Sequence, residues 1–184
     1  MINIKRRWLL SAASGLAFFT TAKQLRAASA IIPGDAVTDH KQLLREAVYL
    51  AQENRKQGGR PFGAVLTIAG EVVATGVNNI LQTHDVSAHA EMEALRAACR
   101  SLERPDLKGS VVYASGHPCP MCLAAMVMAR VDEVYYAFSN DEAAPYGFSN
   151  AHIYDALRLP LPTSLPLTQL DVGMEPGQLY GSQM

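Results

Sequence analysis

The sequence predicts an α/β fold, a three-layer α/β/α sandwich around a mixed sheet, and three observations lead there. Residues 62–77 read as a β-hairpin, helical and strand patterns alternate after it, and two metal-ligating motifs each stand at the start of a helix. The 184 residues suffice for one core, with 49% hydrophobic content and no repeats or low-complexity runs.

The chain opens on a segment unlike the rest. Lys5-Arg6-Arg7 is basic, Trp8 to Phe19 is apolar, and Ala28-Ser29-Ala30 offers a small-residue cleavage site, so residues 1–30 read as a secretory signal peptide. An apolar run of about a dozen residues is too short to span a bilayer. Arg6-Arg7 ahead of Trp8-Leu9-Leu10 resembles a bacterial twin-arginine signal, which implies a periplasmic or secreted protein with no stable membrane span after processing. An uncleaved anchor and a wrongly assigned start are the alternatives. Removing residues 1–30 leaves 11 Lys+Arg against 17 Asp+Glu, a formal charge of −6, which argues against a nucleic-acid partner.

Residues 31–39 form a linker to a domain spanning 40–170. His40 to Gln57 carries apolar residues at Leu43, Leu44, Ala47, Val48, Leu50 and Ala51, a helical stripe that Gly58-Gly59 ends. Phe62 to Ile68 and Glu71 to Val77 are β-rich around the turn Ala69-Gly70. Asn78 to Val86 is a polar loop, and Ala88 to Leu102 is almost all good helix former, with Asp85 and Ser87 as capping residue types. Ser110 to Ala114 predicts a strand leading to a helix that begins at Pro120, and Glu133 to Phe138 a further strand. Pro145 and Gly147 predict a loop before a helix near Asn150 to Leu157, which the proline-rich residues 159–166 end. Leu165 to Leu170 reads as a final edge strand, and residues 171–184 as a tail.

The chemistry concentrates in Ala88-His89-Ala90-Glu91 and Pro118-Cys119-Pro120-Met121-Cys122. Catalytic zinc takes three N/S ligands and leaves its fourth position to water. His89, Cys119 and Cys122 supply the three, and Glu91 is left free to move protons. Residues two apart on a regular helix point about 200° from each other, so His89 and Glu91 address one metal only from a helix start. Cys119, just ahead of Pro120, stands where helix N–H groups favour a thiolate. A closed structural zinc site would need a fourth ligand. Cys99 lies ten residues along the helix, about 15 Å away, and reads as a buried thiol. A redox pair at Cys119 and Cys122 would leave His89 and Glu91 without a role.

His-x-Glu followed by Pro-Cys-x-x-Cys is the signature of zinc-dependent nucleobase deaminases. With Pro61-Phe62-Gly63-Ala64-Val65, Asn78-Asn79 and Pro145-Tyr146-Gly147-Phe148, the chain from His40 to Leu170 resembles the cytidine/deoxycytidylate deaminase superfamily, and within it the bacterial guanine and nucleoside deaminases. The resemblance implies a five-stranded sheet, one Zn2+ per subunit, a homodimer and hydrolytic release of ammonia from a small purine or pyrimidine, guanine first. Cytosine, adenosine or another amino-heterocycle is the alternative within the class, and a non-catalytic zinc-containing ligand-binding domain the alternative outside it. Glu91 then carries protons between water, ring and leaving group. Asn78 matches a residue that hydrogen-bonds the base and Phe62 one that stacks on it, against a turn role and core packing respectively. Ala90 joins the expected substrate contacts. Three places depart from the family. His117 stands where Glu is common, Glu142 with neighbouring Asp141 where an Asp contacts the purine, and the tail offers only Tyr180 as a closing aromatic.

Overall fold

The computed structural model describes residues 39–158 and 165–181. The expected signal peptide, the linker up to residue 38, residues 159–164 and the last three residues lie outside them. No helix among the described residues is long and apolar enough to cross a membrane.

The chain begins with α1 (His40–Lys56), which Asp39 caps by accepting the Gln42 N–H at 3.0 Å. The hairpin follows as β1 (Gly63–Ile68) and β2 (Glu71–Val77), joined through Ala69 and Gly70 with φ of 51° and 80°. Two successive positive φ values make the two-residue turn whose twist suits a hairpin. A helical turn, α2 (Ile80–Thr83), stands in the stretch expected to be loop, before α3 (Ala90–Leu102). Then come β3 (Ser110–Gly116), α4 (Pro120–Ala129) and β4 (Glu133–Phe138). A second helical turn, α5 (Asn140–Ala143), stands ahead of the Pro145 and Gly147 loop and runs into a 3-10 turn over Ala144–Tyr146. The last elements are α6 (Ala151–Leu157), β5 (Leu167–Gln169) and α7 (Pro176–Tyr180).

The five strands form one mixed sheet in the order β2-β1-β3-β4-β5. β1 is antiparallel to both β2 and β3, and β3, β4 and β5 run parallel. The C-terminal ends of β2, β3 and β4 therefore share one edge of the sheet with the start of β1. Alternation along the strands sorts the core. Val65 and its partner Tyr113 face Leu44, Ala47, Val48 and Ala51 of α1, while Leu66 and Val112 face Ala94 and Ala98 of α3 and Met126 of α4. Leu44 and Val48, both essentially buried, each contribute about 1.5–3 kcal/mol by leaving water. The sandwich is the one expected, with α1 on one face and α3 and α4 on the other.

Glycines let the helices lie close to the sheet. A Cβ at Gly76 would strike the Ala90 carbonyl and come within 2.5 Å of the Ala94 N, both backbone atoms of α3. Gly76→Ala should therefore lower unfolding free energy by about 1–3 kcal/mol, read by chemical denaturation. Ala69→Asn, which places the residue favoured by this turn at its positive φ, should instead stabilise by about 0.5–1 kcal/mol in the same assay.

Candidate active site

The sheet edge shared by β2, β3 and β4 is where the chain gathers its chemistry. His89 is the N-cap residue of α3, extended at φ −75° and ψ 156°. Asp85 and Ser87 do not cap the helix as their types suggested. Asp85 Oδ1 instead accepts from the Ser87 N–H at 2.8 Å and the Ser87 hydroxyl at 2.7 Å, bracing the loop that delivers His89. Cys119 is likewise the N-cap of α4, at φ −75° and ψ 167°, with Pro120 in the first turn. Two helix N-termini thus meet, as the motif positions required.

Their side chains converge. His89 Nδ1 lies 3.6 Å from both Cys119 Sγ and Cys122 Sγ, and the two sulfurs are 3.5 Å apart. Tetrahedral zinc with bonds of about 2.0–2.3 Å sets its ligand atoms roughly 3.5–3.8 Å from one another, so the trio fits that ion. Glu91, nearly buried, sets Oε2 3.5 Å from Cys122 Sγ on the side of the cavity. The hydrogen bond shared with Cys122 draws the Cys119 thiol down to about 4, with His89 acting the same way. That same contact, together with burial, pushes Cys122 up. Burial also holds the Glu91 carboxyl above the usual carboxylate range.

A cavity of about 330 Å³ opens over these groups. Phe62, Asn78 and His117 line it, as do Phe148 and Asn150. Asn78 is 2% exposed and doubly held. Its carbonyl accepts from Asn54 Nδ2 at 2.9 Å and its Oδ1 from the Ile80 N–H at 3.3 Å, which leaves its NH2 to donate. Ala90 is fully buried at the first position of α3, against Gly76, and is not among the cavity-lining residues.

His117, although it lies in the loop between β3 and α4, is not exposed. It is 9% exposed, wedged edge-on between Tyr136 and Tyr154, and burial lowers its pKa. Its Nδ1 lies 3.0 Å from the Pro118 carbonyl, which also accepts from the Tyr154 hydroxyl at 2.7 Å. With Nδ1–H donating there, Nε2 is left as an acceptor.

Asp141 and Glu142 stand apart from this cavity. Asp141 is exposed. Glu142 Oε2 accepts from the Ser139 N–H and hydroxyl, both at 2.7 Å, and from Gln169 Nε2 at 2.6 Å, closing a capping box on α5 beside a separate cavity. Tyr180 does not cover the opening either. It is 4% exposed behind the wall, 5.9 Å from Phe62 and 5.4 Å from Phe148 between ring centres, with its hydroxyl unpartnered against Gly116. Arg60 and Asn150 line the cavity without having been singled out; neither belongs to a ligand-spaced motif.

An α/β sandwich with a His/Cys/Cys trio and a buried carboxylate at its strand ends defines a zinc-dependent hydrolase. The model of the cytidine and deoxycytidylate deaminase zinc-binding region matches residues 37–138, and the chain belongs to that deaminase family. It is 42% identical over 123 residues to the guanine deaminase of Bacillus subtilis, covering 66% of this chain and 79% of that protein. A tRNA-specific adenosine deaminase of the same organism is 38% identical over 101 residues, 54% of this chain and 62% of the relative. Among solved structures, the Bacillus subtilis guanine deaminase superposes with a TM-score of 0.64 at 39% identity, over 73% of this chain and 87% of that one.

His89→Ala or Cys122→Ser should bring zinc, measured by atomic emission, well below one ion per chain. Glu91→Gln should keep the zinc and the fold while lowering turnover by at least about 100-fold, the smaller end of what a positioned acid–base group supplies.

Proposed function

We propose that this protein hydrolytically deaminates free guanine. The observation that carries the reading is one cavity lined by Phe62 and Asn78 together with His89, Cys119 and Glu91, with Cys122 directly behind. Phe62 offers an aromatic face to a planar ring and Asn78 an amide donor to a ring acceptor. Sequence and structural similarity to a guanine deaminase supports the purine, and the formal charge of −6 after removal of residues 1–30 counts against a tRNA substrate.

His89, Cys119 and Cys122 would hold a zinc ion, which would supply a Lewis acid able to make water nucleophilic near neutral pH. The chain's own residues do the rest. Glu91, its carboxyl raised by burial, takes one proton from the attacking water and gives it to the ring nitrogen, then takes the second from the hydroxyl added at C2 and gives it to the amine, which leaves as ammonia while the C2 carbonyl forms. Phe62 and Asn78 hold the ring in one plane, and neutral His117 presents Nε2 as an acceptor to a ring N–H. The basic and apolar residues 1–30 support export out of the cytoplasm by a twin-arginine route, and the family resemblance supports a homodimer.

Incubating the zinc-loaded protein with guanine, adenine, cytosine and their nucleosides, beside the Glu91→Gln control, checks the reading. Ammonia release from guanine that disappears in the control is expected. Release from a different base would reassign the substrate, and silence across the panel would favour a non-catalytic zinc domain.

A further inference from the structure

Arg60 stands in the turn between α1 and β1, two residues ahead of Phe62, and is the only lysine or arginine among the described residues lining the cavity. Its backbone is pinned: its carbonyl accepts from Asn54 Nδ2 and from the Phe62 N–H, both at 2.8 Å. The guanidinium carbon lies 5.9 Å from the centre of the Phe148 ring, and Phe148 in turn meets Phe62 edge-on at 5.7 Å. The cationic head thus rests on the aromatic wall of the pocket, and the residue is half-buried. Its charge is close enough to oppose protonation of His89. Among the described residues the guanidinium has no ion-pair or hydrogen-bond partner.

A planar fork of N–H donors held over an aromatic face without a protein acceptor calls for a ligand that supplies acceptors in pairs. We propose that Arg60 determines specificity at this site by donating two parallel hydrogen bonds to the adjacent O6 and N7 of an oxopurine whose amino-bearing C2 lies at the metal. The assignment rests on the guanine reading and deepens it. Guanine presents O6 and N7 side by side, the pair arginine matches with both arms, whereas adenine places an N6 amino donor there and meets Arg60 donor to donor. O6 and N7 flank C5, the corner of the six-membered ring opposite C2. A purine gripped by that edge therefore points its C2 amino group away from Arg60. In this arrangement the arginine selects both the base and the carbon attacked.

The test compares guanine with 2-aminopurine, which keeps the C2 amino group and N7 but lacks O6, on the zinc-loaded full-length protein. Arg60→Met should raise KM for guanine by about 5- to 150-fold, the value of one bidentate base contact. The KM for 2-aminopurine, which keeps only the N7 acceptor, should rise less, by about 2- to 10-fold, with zinc content and melting temperature unaltered. Arg60→Lys, which keeps the charge but loses the fork, should stay impaired on guanine. Equal loss on both purines would make Arg60 a structural residue, and full rescue by lysine would make it a point charge. Loss confined to guanosine 5′-monophosphate would assign it to a phosphate. Each of these overturns the proposal. A wild-type protein that deaminates another heterocycle but not guanine removes the guanine reading itself, and this one with it.

Discussion

Three ligand atoms within 3.6 Å of one another require two helix N-termini to meet at a point, and much of the chain serves that meeting. α3 reaches it by pressing its first turn onto β2, where Gly76 leaves room for the Ala90 backbone. α4 reaches it from the end of β3, through a loop whose Pro118 carbonyl is gripped by both His117 and Tyr154. The parallel run of β2 and β3, which follows from both being antiparallel to β1, delivers the two helices to the same edge. Helix N-termini also favour negative charge, so the geometry that gathers the sulfurs also suits Cys119, at the N-cap of α4, as a thiolate.

The opposite wall of the cavity is held by a different device. Asn54, buried at the end of α1, donates to the carbonyls of Arg60 and Asn78 at 2.8 and 2.9 Å. One amide thereby sets the relative position of the chain entering β1 and the chain leaving β2. A Cβ at Gly59 would strike that amide at 2.5–2.6 Å, so Gly59 is needed for space, whereas Gly58, at φ 83°, ends the helix. Behind the wall, Tyr180 backs the Phe62 and Phe148 rings and is itself met by Phe138, and α7 joins the core on the α1 face.

What could be read from the sequence was local in sequence. His89 with Glu91, and Cys119 with Cys122, sit in contiguous motifs whose spacing is dictated by the metal, and the hairpin and long helices show their periodicity within single windows. α2, read as loop, and α7, read as part of a tail, went unseen because four or five residues carry no period. His117 resisted reading because the tyrosines that bury it, Tyr136 and Tyr154, come from later elements. The Ser139-x-x-Glu142 spacing is itself a capping-box signature, and it bore on Glu142 more directly than a family position did. Arg60 had no motif to announce it, because its placement depends on Asn54 and Phe148 lying on either side of the fold's edge.

The cavity's two sides differ in how firmly they are rooted. The metal side stands on α3 and α4, whose residues form the core, whereas the segment carrying Phe148, Asn150 and Ile153 leads into α6, a helix with no fully buried residue. It is tied down by a few polar contacts, among them Asn150 N–H to Asn140 Oδ1 at 2.8 Å and Tyr154 to Pro118. Sequence change in that segment disturbs little of the core. The fold thus roots the hydrolytic groups in the core helices and leaves one part of the pocket wall on a segment that can vary at little cost to them.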